Sequence, residues 1–346
     1  MTAPAPLRHL TRGRAALVLI VLALVALGVV LVAPFIGATP LHLGRALDRT
    51  RPLAQNPDAQ VLLIYRLPRV LAAALAGAGL AAAGVAFQAV LRNPLATPYT
   101  LGVSSGGALG AVLAIRLGLD AAVGAAALPA CAFAGAAGTV AAVYRIARIG
   151  RALPPATLLL AGVTMSFVAG AFMMFVQYSA DYSQSYRIVR WLMGGLDVMR
   201  PAVLWQEAPP LLVGLAVLQW RARDLNALAA GPEAAASVGV EVAATTRAVY
   251  LAASLIVGAV VSVAGPIGFV GLVVPHALRQ ILGPDHRVLL PASILGGAAF
   301  LTVCDTIART VLAPAEIPVG VLTAMIGGPF FLVLLMRRKA QAGIWG

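Results

Sequence analysis

Apolar residues along this chain gather in long runs, without the period-two alternation of a strand or the narrow stripe of a surface helix. The runs fall near 14–35, 62–84, 95–115, 122–144, 154–178, 201–220, 244–264, 266–282, 288–309 and 318–336. About 20 apolar residues in a helix cross roughly 30 Å of hydrocarbon, and only helices or closed barrels satisfy their own backbone in lipid. The pattern predicts an all-α polytopic membrane protein of about ten transmembrane helices, a single domain over 1–346 with short tails at 1–13 and 337–346. Between the sixth and seventh runs, the stretch 221–247 (RARDLNALAAGPEAAASVGVEVAATTR) departs from this pattern. It is Ala-rich and helix-prone, yet it carries Asp224, Glu233 and Glu241 and is split at Gly231 and Pro232, so it is expected outside the bilayer.

An even number of crossings puts both ends of the chain on one side. The clusters Arg8, Arg12, Arg14, then Arg145, Arg148, Arg151, then Arg337, Arg338, Lys339 fall together on that side, which the positive-inside tendency assigns to the cytoplasm. The bias is partial, and Arg66, Arg69 and Arg309 on the outer side need a separate reason. The first run is longer than a signal-peptide core and lacks a small-x-small cleavage site, so it is read as a retained span. Sliding the chain by 181 residues pairs Arg66 with Arg247, Gly77 with Gly258, Gly84 with Gly265, Pro94 with Pro275, Ala96 with Ala277 and Gly102 with Gly283 without a gap. The spans so matched, second with seventh and third with eighth, cross in opposite directions. Inverted repeats of this kind build transporters around a pathway at the repeat interface; the competing reading is coincidence in an Ala/Gly-rich chain.

Within the spans, Gly77, Ala81, Gly84 and Gln88 lie at helical spacing, as do Gly162, Ser166, Gly170 and Met174, followed by Gln177. Small residues let helix backbones approach where lipid supplies no hydrophobic drive, and close packing accounts for the glycines. Met165, Met173, Met174 and Gln177 admit two readings, packing or the wall of a cavity that slides past a bulky ligand.

Composition narrows the function. Of 346 residues, 61% are hydrophobic and 11% charged, against roughly 25% charged in a soluble domain. The net charge of +13 would suggest nucleic acid in a soluble chain; here it fits cytoplasmic loops and lipid headgroups, and no nucleic-acid partner is expected. Cys131 and Cys304 both fall inside apolar runs, with no disulfide or metal spacing, and no metal or cofactor is expected. His9, His42, His276 and His286 are scattered and nothing resembles a catalytic constellation or a phosphate loop, so the chain is not read as an enzyme. No ionisable residue stands out at a span centre, apart from Asp305 near the outer end of the ninth, which argues against a secondary, ion-driven carrier. If ATP drives transport, a separate chain hydrolyses it.

Three stretches are specific. YRLPRVLAAALAGAGLAAAGVAFQAVLRNPLATPYTLGVSSGGALG (65–110), GPIGFVGLVVPHALRQILGPDHRVLLP (265–291) and ARTVLAPAEIPVGVLTAMIGGPFFLVLL (308–335) together resemble the FecCD family of importer permeases, with RLPR, RNPLA, PHALR and EIPVG in family order. The resemblance covers essentially 62–336. It implies the type II ABC importer permease fold and a homodimer in a bacterial inner membrane, with two cytoplasmic ATPase subunits and an external substrate-binding protein. The implied cargo is haem or another iron chelate, with cobalamin the alternative.

The resemblance also assigns residues. The loop 225–242 becomes a pair of short coupling helices seated in a cleft of the ATPase, 226–230 and 233–238, with Asn226, Ala230, Gly231, Glu233, Ala235, Ala236 and Gly239 as its working positions. Pro232 suits a first helical position and Glu233 the dipole beside it. Arg66, Arg69 and Arg309 match sockets for acidic residues of the binding protein, the competing role being headgroup anchoring. Asn93 and Leu95 match an inner constriction faced by the loop at Pro155; the pathway would continue past Ser166, Met173, Met174 and Gln177. Some relatives carry hydroxyl residues in that loop, whereas Pro155 and Ala156 here carry none, which argues against a polar gating role.

Overall fold

The computed structural model describes residues 12–341, apart from 49, 51 and 197–200. Its α-helices are α1 (Arg12–Val32), the short α2 (Leu43–Ala46) and α3 (Pro57–Gln60), α4 (Leu67–Val90), α5 (Val103–Arg116), α6 (Leu119–Val123), α7 (Ala127–Ala147) and α8 (Pro155–Tyr178). They continue with α9 (Tyr182–Leu192), α10 (Pro201–Trp220), α11 (Ala222–Ala230), α12 (Pro232–Ser237), α13 (Val242–Ala264), α14 (Val270–Leu282), α15 (His286–Ala308) and α16 (Val319–Gln341). Each of the ten predicted spans receives one of these helices, and the all-α polytopic fold stands. Arg8 and His9 of the first tail, and the last tail beyond 341, lie outside the described residues.

Burial sorts the helices. A π-helical stretch over Val61–Arg66 joins α3 to α4, making one helical rod, Pro57–Val90, whose most apolar stretch is 83% buried within this chain. In α1 the corresponding figure is 11%, so its apolar faces are turned to lipid or to another chain. Small side chains put α4 at the centre, where bulkier ones would hold its neighbours off. A methyl on Gly77 would lie 2.2 Å from the Gly297 carbonyl oxygen of α15, and one on Gly84 only 1.9 Å from that of Gly271 in α14. The glycine stripe read as close packing is therefore close packing. In α8 the stripe divides: Gly162 abuts the backbone of Thr100 and Leu101, while nothing lies within 4 Å of Gly170.

Two expectations need correction. The third and eighth spans are shorter than 95–115 and 266–282, because the chain turns before each helix begins. Pro98 opens a 3-10 turn closed by Gly102 at φ +78°, and Gly265 and Phe269 both take φ +66° ahead of α14. Hydropathy registers these residues as apolar but is blind to such breaks. The gapless repeat also fails beyond Gly84 and Gly265. Residues 91–102 separate α4 from α5, whereas only 265–269 separate α13 from α14. What survives is the antiparallel match of α4 with α13: Gly79 packs on Ile256, and the Phe87 and Tyr250 rings lie 6.4 Å apart.

The sequence reading also omits α9. Asp181 caps it, accepting from Gln184 N at 2.8 Å while Gln184 reaches back to the Asp181 N–H. A capping box of this kind satisfies two free backbone donors reciprocally; D-x-x-Q was its legible signal.

Candidate functional site

At one end of the molecule α1 and α15 finish where α4 begins, and three guanidinium groups converge there. Arg66 ends the π-helical stretch and donates to Pro34 O at 3.2 Å and Thr39 O at 2.5 Å. Arg309 Nη2 donates to Ala33 O at 2.6 Å. Both groups thus satisfy carbonyls at the frayed C-terminal end of α1, where cations are favoured. Gly37 leaves the space that the Arg66 guanidinium fills, since a Cβ there would lie 2.5 Å from Arg66 Nη2 and displace it. Arg69, one helical turn on from Arg66, grips Asp305 with Nε at 3.0 and 3.1 Å and Glu316 with Nη1 at 2.7 Å.

The three arginines and Glu316 line a cleft of about 260 Å³ that also includes Tyr65. Three cations face two carboxylates, Asp305 fully buried and Glu316 with 43% of its side chain exposed. One net positive charge is left at a partly open mouth. The geometry differs from simple surface sockets: Arg66 is 7% exposed and Arg309 4%, each already bonded inside the chain. A partner carboxylate would have to enter the cleft to meet them. Headgroup anchoring suits this burial poorly, because interfacial arginines reach outward.

At the opposite end α11 and α12 form the hairpin expected between the sixth and seventh spans. Gly231 makes the break at φ +119°, Pro232 opens α12 with Glu233 in its first turn, and Gly239 at φ +82° closes it. The first helix begins at Ala222, earlier than residue 226, and Leu225 and Leu228 bury its inner face. The working positions part company here. Glu233, Ala236 and Gly239 are exposed, as is Ala230, whereas Ala235 is fully buried and packs inward. Asn226 is turned sideways to Asp285 and His286.

The gate and pathway residues do not gather in one described cavity. Asn93 is committed to a turn, its Oδ1 accepting from Leu95 N at 2.9 Å, and Leu95 is exposed. Pro155 starts α8 beside Thr157, which bonds Ala147 O and Pro154 O. Ser166 donates to Tyr99 O at 3.2 Å, a helix-packing contact. Met173 packs beside Val112 and Ile188, Gln177 is half-buried, and Met174 is 76% exposed.

Sequence reasoning missed two acids. Glu316 sits inside the quoted EIPVG motif without a role. Glu207 in α10 is 1% exposed, and both its carboxyl oxygens lack hydrogen-bond partners among the described residues. The inference against a carrier from missing intramembrane charge therefore fails at this residue. Its signal was plain, a Glu six residues inside an apolar run.

A family model described as the FecCD transport family matches residues 17–337. The chain is 46% identical over 285 residues to the cobalamin import system permease protein BtuC of Halobacterium salinarum, covering 82% of this chain and 76% of that one. It is 39% identical over 283 residues to the hemin transport system permease protein HmuU of Yersinia pestis, covering 81% and 84%. A solved inward-facing ABC transporter structure, described as of metal-chelate type, superposes with a TM-score of 0.82 at 33% identity, over 93% of this chain and 99% of that one.

Proposed function

Since the chain belongs to the FecCD transport family and is an ABC importer permease, we propose that it passes a metal-centred tetrapyrrole inward across a bacterial inner membrane. The relatives named for hemin and for cobalamin support that cargo class, and the lean toward haem within it is a family expectation. The permease works as a homodimer, with both chain termini in the cytoplasm. A cargo-loaded binding protein docks at the arginine cleft and two ATPase subunits receive the α11, α12 hairpin. The domain is single, and the constriction lies near Asn93, Leu95 and Pro155. ATP hydrolysis belongs to the partner chain.

The observation that carries this reading is the hairpin. It is a compact helical knob whose exposed face is made of Pro232, Glu233, Ala234, Ala236 and Ser237 with Val238 at its end, small side chains well shaped for a groove. Membrane-surface helices need a basic polar face, which it lacks. The full chain extracted from membranes should bring a soluble ATPase with it. Ala236→Trp should leave the permease in the membrane while ATPase association and transport are lost. Wild-type permease that transports with no ATPase bound would overturn the reading in favour of a secondary carrier. Ala235→Trp is no test of the interface, because that side chain points into its own subunit. Titrating haem, a ferric siderophore and cobalamin against the binding protein assigns the cargo.

A further inference from the structure

Granted that α11 and α12 meet the ATPase, the way α11 is fastened to the rest of the chain bears on transport. Asn226 Nδ2 donates to Asp285 Oδ1 at 2.8 Å. Its Oδ1 accepts from His286 N at 2.8 Å and lies 2.7 Å from His286 Nδ1. Both faces of one amide are thus engaged by two consecutive residues, which fixes its orientation. Those residues are the N-cap and first residue of α15, where Asp285 also accepts from Arg287 N at 3.0 Å. The Asp285 carboxyl is held well below the usual carboxylate range, chiefly by its hydrogen bonds from Arg287 and against some desolvation, so it stays ionised at neutral pH.

The other end of α15 carries Asp305, held by Arg69, and Arg309, which follows the helix and is bonded to Ala33 O. Twenty-three residues separate the ends, roughly 34 Å at about 1.5 Å per residue. Midway, α15 is locked against α4: a methyl on Gly297 would lie 2.3 Å from Gly77 O, and one on Gly77 2.2 Å from Gly297 O. Backbones this close cannot slide past each other without separating. The helix is a strut running from the arginine cleft to the hairpin. Leu225 and Leu228 pack α11 in place, but apolar contact tolerates rotation, whereas directional hydrogen bonds set register.

We propose that Asn226 is a positioning residue that fastens α11 to the α15 strut, so that docking at the arginine cleft reaches the ATPase-facing hairpin as a rigid displacement. The test uses the full permease reconstituted with its ATPase in liposomes, comparing ATP hydrolysis with and without cargo-loaded binding protein. Asp285→Ser keeps a capping oxygen for α15 but draws the acceptor back from Asn226 Nδ2; it should keep assembly and basal hydrolysis while the stimulation ratio falls about fivefold, the size expected for loss of a modest coupling between sites. Asn226→Asp sets a carboxylate against Asp285 and should lose stimulation too. An unchanged ratio in Asp285→Ser overturns the proposal. So does joint loss of assembly, basal hydrolysis and stimulation in Asp285→Ser, which makes the contact merely structural. Wild-type permease that assembles with no ATPase overturns instead the function on which the proposal rests.

Discussion

Asp305 has almost no exposed side chain, accepts from Arg69 at 3.0 and 3.1 Å and has Arg309 Nε 3.8 Å away. It is the anion that lets two buried cations sit side by side. Removing it strands them, and breaking a buried pair by deleting one partner costs about 3–5 kcal/mol. Asp305→Ala should therefore lower the thermal midpoint of the detergent-solubilised protein sharply, with loosening at α1, α4 and α15. A midpoint within a degree or two of wild type would mean that solvent already reaches the cluster. Little of this was legible in advance. Asp305 stood out as the one acid noticed in a span, but its partner Arg69 lies 236 positions away and no local pattern joins them.

At the scale of helices, the structure distinguishes glycines that the sequence lists alike. Gly297 faces the α4 backbone with no space for a side chain, while nothing lies within 4 Å of Gly138 in α7. Gly297→Val should force α4 and α15 apart and cost at least about 1–3 kcal/mol, as overpacking does. Gly138→Ala should be close to neutral. Folded yield after detergent extraction, with melting of what is recovered, separates the two; equal behaviour would refute the central packing of α4 with α15. Element existence and type were readable because a membrane span is a local property of about 20 residues. The breaks before α5 and α14 were not, and the α9 helix left only its capping box to read. The first two depend on positive φ at Gly102, Gly265 and Phe269, which hydropathy ignores, and the third is amphipathic and sits outside the spans.

Over the whole molecule, the docking proposed at the arginine cleft makes the charge there the quantity to vary. Glu316 neutralises part of the arginine cluster from an exposed position. Glu316→Gln leaves the fold intact and raises the net positive charge met by an incoming acid. Exposed pairs contribute about 0.2–1 kcal/mol, so docking of the binding protein should tighten by up to about fivefold at low salt. The gain should shrink as ionic strength rises, because exposed charges are screened. Docking unchanged at low salt would remove the cleft from the docking model, whereas weaker docking would show that Glu316 itself contacts the partner. Charge reversal of Arg66 or Arg309 is a poor probe of docking, since either change also unfastens the end of α1.

The sequence by itself determined the class of protein, the ten apolar intervals, the hairpin kept out of the bilayer and the family resemblance. Each of these is written in short windows: apolar length, a Gly and Pro break, or a motif of a few residues. Only the tertiary structure decided that three arginines share one cleft with Glu316 while the buried Asp305 pairs with two of them, that Ala235 faces inward while Ala236 faces out, and that Asn226 bonds α11 to the start of α15. Those facts depend on which helix faces meet. In lipid that choice is made by backbone approach between small residues and by pairing of distant polar groups, neither of which hydrophobic periodicity along one helix encodes.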